Sequence, residues 1–362
     1  ARRPHLSGQG GPAMSRYLSR LVERFPAYVP GEQPRGRTYI KLNTNENPYG
    51  PSPRVVEAIR AAAGGRLNLY PDPLCLDLRR AIAARYGLSE EQIFVGNGAD
   101  EVLRLAMTAF AGPGTPVVFP AASYPLYRTL AVLAGCLPEE VPVDRHFFPS
   151  QEFFSSYRDC FTILCNPNSP TGTWLPPSAV ENLVRSRRRV VLVDEAYADF
   201  AEETCLPLVG RYDNLVVCRT FSKAFGLAGI RVGWCAGSRR LIAALFAIKD
   251  SYNVDILAQA AALAAVRDIR HMERARKKIL ATRGRLERAL VRLGFSVVPS
   301  QANFLFAKPP GISAQEYYRN LKERGILVRW FDAPRLRQHV RITIGTDREV
   351  DVLLSKTTSL VG

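Results

Sequence analysis

No apolar run in this 362-residue chain approaches the roughly 20 residues that carry a helix across a bilayer, so the sequence offers no membrane-spanning helix. The first residues, ARRPHLSGQGGPAMSR, have basic groups but no apolar stretch of the kind a secretory signal needs. Residues 1–13 read as a flexible leader, with Met14 a candidate start. Seven cysteines (Cys75, Cys136, Cys160, Cys165, Cys205, Cys218, Cys235) form no C-x-x-C pair, and several lie in apolar runs. That pattern argues against a disulfide framework and for buried, reduced thiols in a cytoplasmic protein. Acidic residues are the scarce charge: 33 Asp and Glu against 49 Lys and Arg, a formal net charge of +16. The excess is scattered along helical stretches, as in RSRRR at 185–189 and ERARKK at 273–278. No basic run is interleaved with aromatics, and no zinc, helix-turn-helix or RNP pattern is present. A nucleic-acid partner is therefore not expected, and the positive charge suits small anionic ligands. No metal-ligand spacing and no internal repeat stand out.

What the sequence does have is alternation of strands and helices. Near-continuous apolar runs at Ile93–Val95, Pro116–Phe119, Phe161–Cys165, Val190–Val193, Leu215–Arg219 and Arg231–Cys235 read as strands buried on both faces. Helical periodicity falls at 53–63 and 74–86, after the turn GNGAD (96–100), and at 123–134, 177–187 and 239–248. The pattern predicts an α/β fold, a mainly parallel α/β/α sandwich. From about Ile256 it changes. Long helices run to about 293, then short strands (Phe295–Val298, Asn303–Ala307, Ile326–Arg329, Val340–Ile344) alternate with helices at 313–324 and 347–358. A large domain over 53–255 and a smaller α+β domain over 256–362 are expected, with 14–52 packing against the smaller one.

Four strings carry chemistry. In RTFSKAFGLAGIR (Arg219–Arg231), Lys223 follows a buried strand, where desolvation lowers an amine's pKa and favours imine formation with an aldehyde cofactor. Thr220 and Ser222 supply hydroxyls, and Arg231 a cation that can grip a phosphate with two N–H groups. In VLVDEAY (Val191–Tyr197), Asp194 ends a buried strand, where α/β folds gather their ligands. An acid there can hold a proton on a heterocyclic nitrogen, and Tyr197 can donate to a phenolic oxygen of the same ring; a helix N-cap is the plainer reading of the string alone. CNPNSPTG (Cys165–Gly172) is first of all a turn, but it presents Asn166 at a strand end. The spacings from Asn166 to Asp194 and from Asp194 to Lys223 each admit one strand–helix or strand–loop unit, which would set all three on one edge of the sheet. GNGADE (Gly96–Glu101) starts like a dinucleotide fingerprint but has Glu101 in place of the third glycine. Its Gly98 and Ala99 amides and the Asp100 region still make a phosphate site at a helix N-terminus. Tyr124 is a candidate to stack on the ring, with core packing as the alternative.

These strings, in this order, resemble the fold type I PLP-dependent transferases, the class I and II aminotransferases, and most specifically the histidinol-phosphate aminotransferase family. LNTNENPYG (42–50), YPD (70–72), ANF (302–304) and RITIGT (341–346) extend the similarity from about Pro26 to Arg348. The resemblance implies pyridoxal 5'-phosphate as cofactor, bound as an imine by Lys223, and a homodimer with shared active sites in which Tyr70 reaches the neighbour's cofactor phosphate. It implies that Arg341 binds the substrate's anionic group, with Arg329 as a second cation, and that Tyr28 and Asn45 contact substrate. The expected reaction passes an amino group between histidinol phosphate and 2-oxoglutarate, in histidine biosynthesis. An aromatic-amino-acid aminotransferase, a threonine-phosphate decarboxylase-like enzyme and, more distantly, a non-catalytic binding protein on the same fold stay open at this point.

Overall fold

The computed structural model describes Tyr17, residues 31–33, 38–65 and 67–361; Tyr28 and the expected leader lie outside the described residues. After a short strand β1 (Ile40–Lys41) come helices α1 (Pro53–Ala63) and α2 (Leu76–Tyr86). Alternating elements follow: β2 (Ile93–Gly96), α3 (Gly98–Phe110), β3 (Pro116–Pro120), α4 (Leu126–Leu133), β4 (Leu137–Val141) and α5 (Gln151–Ser155). β5 (Phe161–Cys165), α6 (Pro177–Ser186), β6 (Val191–Asp194), β7 (Leu215–Thr220), β8 (Gly233–Gly237) and α7 (Arg239–Ile248) complete a seven-stranded sheet of order β2-β8-β7-β6-β5-β3-β4. β8 runs antiparallel to β2 and β7, and every other pairing in that sheet is parallel. β5, β6 and β7 are buried along their whole length because helices cover both faces. Val191, Val193, Leu192, Val216 and Ile163 are fully buried, each worth about 1.5–3 kcal/mol over the exposed state.

The remaining chain forms α8 (Ile256–Arg267), α9 (Ile269–Arg292), β9 (Ser296–Val298), β10 (Phe304–Lys308), α10 (Ala314–Glu323), β11 (Ile326–Leu327), β12 (Arg329–Trp330), β13 (Val340–Thr343) and α11 (Asp347–Val361). β12, β13, β10 and β9 make a second, antiparallel sheet in that order. β1 pairs in parallel with β11, tying the segment before α1 to this region.

Among the differences from the sequence expectation, which include the short β1 and α5, three have a plain physical cause. β4 was not anticipated, because as an edge strand its LPEEV is mostly exposed and has no apolar run. The strand expected from Arg231 starts two residues later, since Arg231 itself takes a left-handed φ of 59°. The strand expected over 326–329 splits into β11 and β12, which serve different partners.

Candidate active site

Parallel strands end together. Cys165, Asp194 and Cys218 are register partners across β5, β6 and β7, so the loops after all three strands leave from one edge of the sheet. Asn166 N–H donates to the Asp194 carbonyl at 2.9 Å, and Glu195 N–H to that of Cys218 at 2.8 Å, locking the loop starts together. Lys223 follows Thr220, the last residue of β7, by three positions. Asn166, Asp194 and Lys223 are thus gathered at adjacent strand ends, as their spacing suggested.

Lys223 is half-buried, its Nζ donating to the Thr44 carbonyl at 3.2 Å and lying 5.7 Å from the Tyr197 ring centroid. Burial first, then the Arg341 and Arg231 cations, push its pKa down to about 8, against an opposing pull from Glu46. Asp194 is buried, and desolvation pushes its carboxyl up to about 6. Two donors work the other way: the Tyr127 phenol reaches Oδ2 at 2.6 Å and the Ala196 N–H reaches Oδ1 at 3.1 Å.

The phosphate-seeking residues also meet. Arg231 donates from Nη1 to Ser222 Oγ at 3.3 Å and from Nη2 to Asp100 Oδ2 at 3.2 Å. Thr220 Oγ1 lies 3.0 Å from Ser222 Oγ and accepts the Ser222 N–H at 3.1 Å. Helix α3 starts at Gly98, where the amides of Gly98, Ala99 and Asp100 have no carbonyl one turn back to bond. Gly98 has φ +78°, and a Cβ there would meet Arg231 Nη2 at 2.5 Å; a Cβ on Gly233 would meet Ala99 N at 2.3 Å. Two glycines therefore hold open a cup lined by helix amides, a hydroxyl and a guanidinium, which is the chemistry of a phosphate seat.

On the second sheet, Arg341 and Arg329 face each other as register partners of β13 and β12. Their guanidinium carbons stand 5.5 and 5.3 Å from the Phe331 ring centroid. Arg341 also donates to the Asn43 carbonyl at 2.9 Å and to Ser169 Oγ at 3.1 Å, the latter in the loop that carries Asn166.

Other expected residues fall in more particular places. Asn166 is buried, its amide exchanging two hydrogen bonds with the Leu175 backbone, at 2.9 and 2.8 Å. Asn45, at φ 58°, donates to Tyr197 Oη at 2.9 Å and accepts from Thr343 Oγ1 at 3.0 Å, so its amide bridges Tyr197 to β13. Tyr124 is half-buried with its ring edge-on to Tyr127 at 5.6 Å. Tyr70 is 78% exposed, stacked on Tyr252 at 4.2 Å. Sequence reading missed Tyr127; its place in the first turn of α4, three residues after Tyr124, was the available signal. It also missed Thr44, which acts through a backbone carbonyl that no side-chain pattern reveals.

The family model for class I and II aminotransferases matches residues 37–356. The chain is 48% identical over 348 residues to histidinol-phosphate aminotransferase 2 of Rhizobium meliloti, covering 94% of this chain and 98% of that protein. It is 46% identical to histidinol-phosphate aminotransferase 1 of Bradyrhizobium diazoefficiens, over 96% of this chain and all of that one. Among solved structures, the histidinol-phosphate aminotransferase of Sinorhizobium meliloti in complex with pyridoxal-5'-phosphate superposes with a TM-score of 0.87 at 29% identity, covering 96% of this chain and 98% of that chain. The chain belongs to the class I and II aminotransferases and, within them, to the histidinol-phosphate aminotransferase family.

Proposed function

We propose that this protein is a pyridoxal-phosphate-dependent aminotransferase that passes an amino group between L-histidinol phosphate and 2-oxoglutarate, as a cytoplasmic homodimer in histidine biosynthesis. The residues fit the cofactor. The cup of Gly98, Ala99 and Asp100 amides with Ser222, Thr220 and Arg231 suits its phosphate, Asp194 its ring nitrogen, Asn166 and Tyr197 its phenolic oxygen, and Tyr124 its ring face. Pyridoxal phosphate supplies an aldehyde for the lysine amine and a ring that withdraws electrons from the substrate's α-carbon.

The chain does the rest. Lys223, with its pKa lowered to about 8, has a neutral amine available near neutral pH, first to hold the aldehyde and then to serve as base at the substrate Cα–H. Asp194 keeps a proton on the ring nitrogen. Asn45 fixes Tyr197 from the far side through its 2.9 Å bond, so Asn45 acts as a positioning residue as well as a neighbour of substrate. Arg231 stands between the Asp100 carboxylate and Ser222, which fixes its fork at the cup.

The observation that carries the choice of a phosphorylated substrate over an aromatic amino acid is the register pairing of Arg341 with Arg329; kinship with histidinol-phosphate aminotransferases favours histidinol phosphate over O-phosphothreonine. Two cations set directly across a strand pair repel, and a dianionic phosphate between them offsets that cost better than a singly charged carboxylate. The exposed Tyr70, with Leu67, Leu69, Leu74 and Tyr252 also exposed, supports a subunit contact through which Tyr70 reaches the partner's cofactor. All seven cysteines are free and buried, as suits a reducing compartment. We assign cofactor holding to a domain over 53–255 and the substrate arginines to one over 256–362.

A substrate panel on cofactor-loaded protein tests this reading. Histidinol phosphate should give a kcat/KM at least about 100-fold above phenylalanine, tyrosine and O-phosphothreonine, the last without release of carbon dioxide. Preference for phenylalanine, or carbon dioxide from O-phosphothreonine, overturns it.

A further inference from the structure

Asp194 has unusual company for a carboxylate that must stay charged. Its lateral neighbours in the sheet are Cys165 and Cys218, and thiols are weak donors. The side-chain hydrogen bond it receives comes from Tyr127 at 2.6 Å. Tyr127 is fully buried, and its ring is fixed edge-on between Phe119 at 5.8 Å and Tyr124 at 5.6 Å. Those contacts aim the phenol at Oδ2, while the Ala196 N–H holds Oδ1.

We propose that Tyr127 is a positioning residue for the cofactor's ring nitrogen: its phenol fixes the orientation of the Asp194 carboxylate and keeps the negative charge there, so that the proton between them stays on nitrogen. The inference rests on the reading that the ring nitrogen faces Asp194. Burial alone raises the proton affinity of Asp194, and the Tyr127 hydrogen bond counters it. Without that donor the carboxylate draws the proton to itself, leaving a neutral ring that is a weaker electron sink. A packing role makes no such demand, since phenylalanine fills nearly the same volume.

The test uses the holoenzyme loaded with cofactor labelled with nitrogen-15 at the ring position, read by NMR. Wild type should show a protonated nitrogen. Tyr127→Phe should move the signal toward the unprotonated position and lower kcat by about tenfold, with KM changed less than about twofold. A 3-fluorotyrosine at position 127, a stronger donor of almost the same size, should keep the nitrogen protonated and kcat near wild type, which separates donation from fold. A Tyr127→Phe holoenzyme with the wild-type nitrogen signal and kcat overturns the proposal. If Asp194→Asn leaves the nitrogen signal of wild type in place, the seating of the ring at Asp194 is what fails, and the proposal falls with it.

Discussion

Lys223 and Asp194 are perturbed in directions that follow from their surroundings. An amine pushed down to about 8 by burial and two arginines reacts as its neutral form. Capture of pyridoxal phosphate by the cofactor-free protein should therefore quicken about tenfold per pH unit below about 8 and level off above it. Stopped-flow absorbance across pH reads this; a profile rising only near the ordinary lysine range contradicts it. For Asp194 the folded value of about 6 lies above the ordinary aspartate range, so charge on this carboxyl is a cost to the fold. Its contribution to stability is greatest below the unfolded value and is lost as pH rises through about 6. Asp194→Asn should thus stabilise the cofactor-free protein at neutral pH by about 1–3 kcal/mol in denaturant titration while removing most activity. A destabilised variant contradicts that sign. Arg329→Gln should raise KM for histidinol phosphate by about tenfold and change KM for 2-oxoglutarate less, because the two charges of 2-oxoglutarate sit on separate carboxylates and Arg341 alone still matches one of them. Equal effects on both contradict the pairing argument.

At the level of elements, the cup depends on how closely helix α3 approaches strand β8. A methyl group on Gly233 would sit 2.3 Å from Ala99 N, so the helix start must retreat. Gly233→Ala should weaken cofactor binding at least about tenfold and cost about 1–3 kcal/mol of stability, read by titration with pyridoxal phosphate and by denaturant. Unchanged affinity contradicts the geometry. The same elements show what a sequence can reveal. β5, β6 and β7 were legible because strands buried on both faces are apolar throughout, and Lys223, Asp194 and Asn166 were legible because each ends or follows such a strand. β4 was not, since an exposed edge strand has no burial pattern to display. Tyr127 was hidden because a buried tyrosine in a helix looks like core until its hydroxyl partner is known. The bridging role of Asn45 was equally hidden, as Thr343 and Tyr197 lie far from it in the chain.

For the whole molecule, two sheets cooperate: one gathers Asn166, Asp194 and Lys223 at its strand ends, the other presents paired arginines. Arg341 spans them through its bond to Ser169. Subunit sharing has a direct test. Tyr70→Ala and Lys223→Ala proteins, each nearly inactive alone, should regain activity when unfolded and refolded together, because a mixed dimer holds one complete site. No recovery contradicts a Tyr70 donated across the interface. Covalent capture of the cofactor by Lys223 is what all of this chemistry depends on, and borohydride reduction of the loaded protein followed by peptide mass mapping reads it directly. One reduced pyridoxyl phosphate adduct is expected, on the peptide containing Lys223, absent from Lys223→Ala. An adduct confined to another lysine, or none on a protein that still transaminates, would contradict it.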